Sequence, residues 1–214
     1  MGNDTLVKSI FLDFDGTIID SSIDLANSIN FMLKSLGLKT FEIDLIRSWI
    51  GGGATKLVQK ALNEAGGEFS DEALQIFLSH YEKNLINQTY LYDDVKETLL
   101  KLKKDYILTL ITNKPYKFVN PILKHFDIDI FEIVLGGDSL EYKKPHPYPL
   151  IYCMDKLNLK PDEVVMVGDS FNDIKAAKNA RVKSILVTYG FDEEIDADIK
   201  IDSFDKLIKV MEEI

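Results

Sequence analysis

The chain has one cysteine in 214 residues, Cys153, so no intramolecular disulfide is open to it. That cysteine lies in the apolar-periodic stretch PLIYCMDKL and reads as a small buried hydrophobe, not a nucleophile. Positive charge is also in short supply. Lys and Arg number 25 against 35 Asp and Glu, a formal net charge of −10, which argues against general binding to nucleic acid or an anionic membrane. An anionic substrate gains nothing from overall steering, so any phosphate site has to be made attractive locally. The histidines, His80, His125 and His146, do not fall at metal-ligand spacing. No apolar run approaches membrane-spanning length, and residues 1–10 hold neither a basic n-region nor a long apolar h-region. A soluble cytoplasmic protein, monomer or homodimer, is the expectation. The rest is ordinary for a globular chain: 46% hydrophobic and 28% charged residues, enough for one full core plus a smaller module.

Residues 6–12 (LVKSIFL) read as a short, largely buried strand of the kind found in parallel sheets. A helix follows over 21–36, with Ser21 and Asp24 spaced as a capping box and Gly37 closing it. The pattern stays helical over 42–50, 54–65 and 71–86, broken at Gly51-Gly52-Gly53 and Gly66-Gly67. Residues 18–88 therefore read as an all-helical insertion. After Tyr92 strands and helices alternate: strands at 106–112, 131–137, 163–169 and 183–188, helices at 94–104, 116–125, 147–157, 171–180 and 203–213. That order implies right-handed βαβ crossovers and a parallel sheet. The expected fold class is α/β: a Rossmann-like three-layer parallel-sheet core from 1–17 and 92–214, with an inserted all-α cap domain over 18–91. The linkers near 17–21 and 88–93 read as hinges.

Residues 11–21, FLDFDGTIIDS, carry the chemistry. Carboxylates at the end of a hydrophobic strand are costly to bury unless they meet a cation or react. Asp13 and Asp15 alternate with Leu12 and Phe14, which puts them on one face of the strand tip. Gly16 lets the chain turn and Thr17 offers a hydroxyl beside them. A carboxylate pair so placed suits a hard divalent ion such as Mg²⁺. Two further strands end in polar residues, one in Thr112-Asn113 and one in Gly168-Asp169-Ser170, with Asn172 and Asp173 opening the next helix. Ligands bind at the carboxyl ends of strands in open parallel sheets, so these ends converge on one pocket. Lys144-Pro145-His146-Pro147 adds a lysine whose direction the prolines fix. Taken singly, each has a plainer reading: Thr112-Asn113 as a strand end and helix cap, Lys144 as a solvated lysine, Asp169 and Asp173 as helix-start residues.

In that order and on those elements, DFDGT, T-N, K-P-x-P and G-D-S-x-N-D resemble the haloacid dehalogenase superfamily of phosphotransferases. The insertion directly after the first motif is similar to its subgroup with a helical cap, which includes phosphoglycolate phosphatase-like enzymes. The resemblance implies that Asp13 is the nucleophile and Asp15 the general acid and base. It implies Mg²⁺ held by the carboxylates of Asp13 and Asp169 and the backbone carbonyl of Asp15. Thr112 and Asn113 would hold the phosphoryl oxygens with Thr17 nearby, and Lys144 would offset charge between nucleophile and phosphate. Asp173, with Asn172, would stand behind them and orient the lysine or a metal-bound water.

The expected activity is Mg²⁺-dependent hydrolysis of a small phosphorylated metabolite, phosphoglycolate first, with a pyrophosphatase or sugar-phosphate phosphatase as the nearest alternatives. A mutase commonly has valine where this chain has Thr17, and dehalogenase chemistry does without the second aspartate present here as Asp15. A phosphoryl-binding regulatory module is the rival from another class, and it has no use for a cap or for Asp15. Within the cap, Gly51-Gly52-Gly53 with Arg47 and Lys56 reads in two ways. It receives the far end of a small anionic substrate, or it simply joins two helices beside solvated cations.

Overall fold

The structure, a computed structural model, describes residues 6–191 and 195–214. Six strands form one parallel sheet: β1 (Ser9–Leu12), β4 (Ile107–Ile111), β5 (Ile133–Leu135), β6 (Val164–Gly168), β7 (Lys183–Val187) and β8 (Ile199–Ile201), in the order β5-β4-β1-β6-β7-β8. The chain builds outward from β1 through β4 to β5, then crosses back to place β6 on the other side of β1. The switch point thus falls at β1 and β6, where a crevice opens beyond the strand ends.

The central strands are apolar on both faces because both faces are covered. Ile10, Leu12, Leu110, Val165 and Val167 meet α5 (Val95–Leu102), α6 (Tyr116–His125) and α9 (Lys206–Glu213) on one side. Phe11, Ile111 and Met166 meet α7 (Tyr148–Leu157) and α8 (Phe171–Ala180) on the other. Cys153 is buried on that second side and burial pushes its thiol up to about 12, which keeps it inert.

Between β1 and β4 lie α1 (Ser22–Ser35), α2 (Ile43–Arg47), α3 (Ala54–Glu64) and α4 (Asp71–Lys83). α1 packs on the other three. Their path in and out of the sheet is a two-stranded antiparallel ribbon, β2 (Ile19–Asp20) and β3 (Tyr90–Leu91). Both strands and β8 escape the sequence reading, because two or three residues carry no measurable alternation.

The expected capping box at Ser21 does not form. Its hydroxyl donates instead to Asp15 Oδ1 at 2.5 Å. Asp24, buried, accepts from the backbone N–H groups of Gln88 and Thr89 and from the Thr89 hydroxyl. A buried carboxylate takes the donors that best compensate it, and here those lie across the ribbon.

Candidate active site

The pairing of β1 with β6 continues one residue past β1, where the Asp13 N–H donates to the Val167 carbonyl at 2.9 Å. This fixes the backbone of Asp13 at the sheet edge. Gly16 then turns the chain with φ +86°, and a Cβ there would lie 2.1 Å from Asp169 Oδ2, so the turn can pass only without a side chain. Thr17, expected near a phosphate, donates its hydroxyl to Asp169 Oδ1 at 3.2 Å.

β6 delivers the next group. Gly168 packs so tightly that a Cβ would lie 2.4 Å from Asp173 Cβ. Ser170 N-caps α8, and its N–H and hydroxyl both donate to Asp173 Oδ2, at 3.0 and 2.6 Å. That bond anchors Asp173 and leaves Oδ1 facing Lys144 Nζ at 2.6 Å, while the same ammonium lies 2.9 Å from Asp13 Oδ1. The Phe191 N–H donates to Asp169 Oδ2 at 2.8 Å. Asp13, Asp169 and Asp173 bring carboxylate oxygens within 4.8 Å of one another, all buried.

Asp13 and Asp173 share one ammonium with Asp169 alongside, and the imbalance shows at Asp13 and Asp169. Burial, with Asp173 alongside, pushes the Asp13 carboxyl up to about 7 against the pull of Lys144. Burial, Asp173 and Asp13 hold Asp169 well above the ordinary carboxyl range. For Lys144, burial works against the charge, but Asp13 and Asp173 outweigh it and the ammonium is held above its usual value. A divalent cation with oxygen ligands supplies the missing charge, and the donor set fits one.

A second charged group stands beside the first. Lys114, fully buried, donates to Asp15 Oδ1 at 2.8 Å and to the hydroxyl of Tyr81, on α4, at 2.6 Å. Burial alone would lower Lys114, yet Asp15 and Tyr81 hold it above the lysine norm, while burial pushes Tyr81 up to about 12. Neither residue was singled out from the sequence. The signal for Lys114 was present, since Lys114-Pro115 repeats the Lys144-Pro145 pattern directly after Thr112-Asn113. Tyr81 had none; on an amphipathic helix it reads as packing.

Thr112 Oγ1 accepts from the Lys114 N–H at 3.1 Å. The Asn113 amide donates to the carbonyls of Lys144 and Gly51, both at 2.9 Å, and Asn172 donates to the Gly51 carbonyl at 3.2 Å. The glycine loop therefore meets the sheet edge through an acceptor. Arg47 is half-buried, tied at 3.0 Å to Asp20 in the ribbon and stacked on Phe191, so its charge is already partnered within the protein. Lys56 is exposed near Lys143, whose ammonium burial and Lys56 together lower.

Asp13, Asp15, Tyr81, Thr112, Asn113 and Lys114 line one partly open cavity whose far wall is Leu25, Ile50, Leu57, Phe77 and Phe118. It measures about 40 Å³, room for roughly three water molecules.

Charge and placement define the class first. A buried carboxylate cluster with its own lysine, at the switch point of a parallel sheet and under a helical roof, is an enzyme site suited to cation-assisted chemistry. Comparison with known proteins makes this particular. The sequence profile of the haloacid dehalogenase-like hydrolases matches residues 10–187. A curated relative from Colwellia psychrerythraea, named phosphoglycolate phosphatase, is 46% identical over 191 residues, 85% of this chain and 84% of that protein. A namesake from Pasteurella multocida is 40% identical over 223 residues, 97% of this chain and 100% of that protein. A crystal structure from Haemophilus somnus, described as a predicted phosphoglycolate phosphatase, superposes with a TM-score of 0.90 at 41% identity, covering 95% of this chain and 97% of that one. The chain belongs to the haloacid dehalogenase-like hydrolase family.

Proposed function

We propose that the chain is a Mg²⁺-dependent phosphoric monoester hydrolase whose preferred substrate is a small ester of the phosphoglycolate kind, and that Asp13 is its nucleophile. The observation that carries this reading is Lys144 held between Asp13 and Asp173 with Asp169 alongside. A carboxylate approaches a phosphate dianion only when positive charge is packed around both. Asp13 and Asp169, with the Asp15 backbone carbonyl, hold Mg²⁺, which when bound supplies the larger part of that charge.

The chain's own residues then divide the work. Asp13 Oδ attacks phosphorus as the ester P–O bond breaks, and Asp15 gives its proton to the departing oxygen. Water next attacks the aspartyl-phosphate, Asp15 takes the proton back, and the bond from phosphorus to Asp13 breaks to release phosphate. Lys144 shields Asp13 from the phosphoryl charge, and Asp173, locked by Ser170, keeps Lys144 in place. Thr112 and the Asn113 backbone hold phosphoryl oxygens; the Asn113 side chain is committed elsewhere.

The site divides between a core (1–17 and 92–214) and a cap (18–91), and closing them excludes water. The protein works on a soluble metabolite in the cytoplasm. Among the described residues no helix is long and apolar enough to cross a membrane.

Phosphate release from a panel of phosphorylated metabolites, pyrophosphate and an aryl phosphate tests the reading. Chelation is expected to abolish turnover, Mg²⁺ to restore it and Ca²⁺, with its larger and looser shell, to inhibit. Full turnover in excess chelator would sink the metal assignment.

A further inference from the structure

Among the described residues lining that cavity, Lys114 is the one cation. Its surroundings differ from those of a lysine that only balances a carboxylate. Two of its three N–H donors are taken, by Asp15 Oδ1 and by Tyr81 from the helical layer, which leaves one. Beyond Asp13, Asp15 and the neutral polar groups of Thr112, Asn113 and Tyr81, the side chains lining the cavity are hydrocarbon, so an anion entering there meets no other cation. Lys114 also follows Thr112 and Asn113 directly, and Asp13 and Thr112 line the same space. A phosphoryl group held at those residues therefore sends its ester chain toward Lys114.

We infer that Lys114, steadied by Tyr81, is the specificity residue that reads a carboxylate at the far end of a short leaving group. This rests on the phosphatase reading and adds the residue that would tell a hydroxy-acid ester from a neutral one of the same shape. Lys144 cannot serve, since it is held between Asp13 and Asp173. Arg47 is tied to Asp20.

The test compares kcat/KM for phosphoglycolate with that for its neutral amide, which has the same shape and no distal charge. The wild-type enzyme is expected to favour the acid by roughly 10²-fold, the scale of a charged hydrogen bond in a dry site. Lys114→Met removes support from Asp15 as well and slows both esters. The inference expects the acid-over-amide ratio to fall at least about tenfold further. Tyr81→Phe keeps the Lys114–Asp15 pair and is the second arm, with a several-fold fall in the same ratio expected through KM. A melting curve on each variant checks the fold, and Tyr81→Phe decides the matter if Lys114→Met does not fold. A wild-type ratio near one, or equal losses on both esters in the folded variants, would overturn the role of Lys114 and leave the phosphatase intact. No phosphate release by wild-type enzyme from any ester would overturn both.

Discussion

The two buried lysines make an instructive pair. Lys144 and Lys114 both precede a proline, both are shut away from solvent, and each faces one aspartate of the DFD motif. Lys144, however, takes its carboxylates from β1's edge and from α8, so the sheet layer alone holds it. Lys114 is held from two sides, by Asp15 and by Tyr81 on α4, so its geometry depends on the helices being closed over the sheet. Lys144 is outnumbered, with Asp13 and Asp173 bound to one ammonium and Asp169 beside them, whereas Lys114 meets a single carboxylate and a hydroxyl. An excess of negative charge is a place for a metal; a balanced pair with a donor to spare is a place for a ligand's own charge.

The largest effect should come from the aspartates on which the two lysines act. Asp13→Asn keeps the shape and deletes the attacking charge, and turnover should fall by about 10³-fold or more with the fold intact by circular dichroism. Asp15→Asn should lose ~10²–10⁴-fold through proton transfer alone. Retention of more than about a tenth of the wild-type rate by Asp13→Asn would rule out the covalent route, far above the ~10²-fold scale of such losses.

Lys144→Met separates the lysines by stability. Removing it strands Asp13 and Asp173 as uncompensated buried carboxylates, a loss on the scale of about 3–5 kcal/mol for a broken buried pair. Added Mg²⁺ should return part of that in a thermal melt, because it supplies charge to the same carboxylates. Lys114→Met should show no comparable rescue. Equal recovery of both variants would erase the distinction.

The metal-free protein should carry the signature of the crowded cluster in its pH dependence. Asp13 is raised from 3.8 to about 7, so the folded state holds this proton more tightly than the unfolded chain does. Its contribution therefore favours folding at low pH and is lost as pH rises from about 4 to about 7. Melts in chelator between about pH 5 and 7 should show the melting temperature falling with pH. Mg²⁺ or Asp13→Asn should flatten that slope, and a slope of opposite sign would contradict the raised carboxyl.

The smallest effect concerns the ribbon between the layers. Asp94 follows β3 with φ 60°, a left-handed conformation that glycine adopts without steric cost. Asp94→Gly should stabilise by no more than about 1 kcal/mol, since the unfolded chain also gains freedom. A fall in melting temperature would mean that the Asp94 side chain contributes something its backbone strain conceals.

Much of this was legible in the chain. The apolar runs of β1, β4, β6 and β7, buried on both faces, cannot be mistaken for exposed strands, and the polar residues closing three of them announced one pocket. The Ser21–Asp24 box was misread because local spacing is all that a sequence displays. Asp24 found its donors 64 and 65 residues away, and Ser21 found Asp15 across a turn. Thr17 looked like a phosphate ligand for the same reason and is occupied by Asp169, 152 residues on.

By itself, then, the sequence determined the parallel sheet, the interrupting helices and the polar strand ends that carry Asp13, Asp15 and Asp169; the structure puts Asp173 in the carboxylate cluster and turns the Asp15 carboxylate to Ser21 and Lys114. Periodicity and strand-end chemistry are local properties that survive in one dimension. Only the tertiary structure decided that Arg47 belongs to Asp20, that the glycine loop turns a carbonyl to Asn113, and that Tyr81 reaches down to Lys114. Those pairings were selected by burial, where a charge or a donor without a partner is too costly to leave. Which partner is near enough is a fact of packing that no run of residues records.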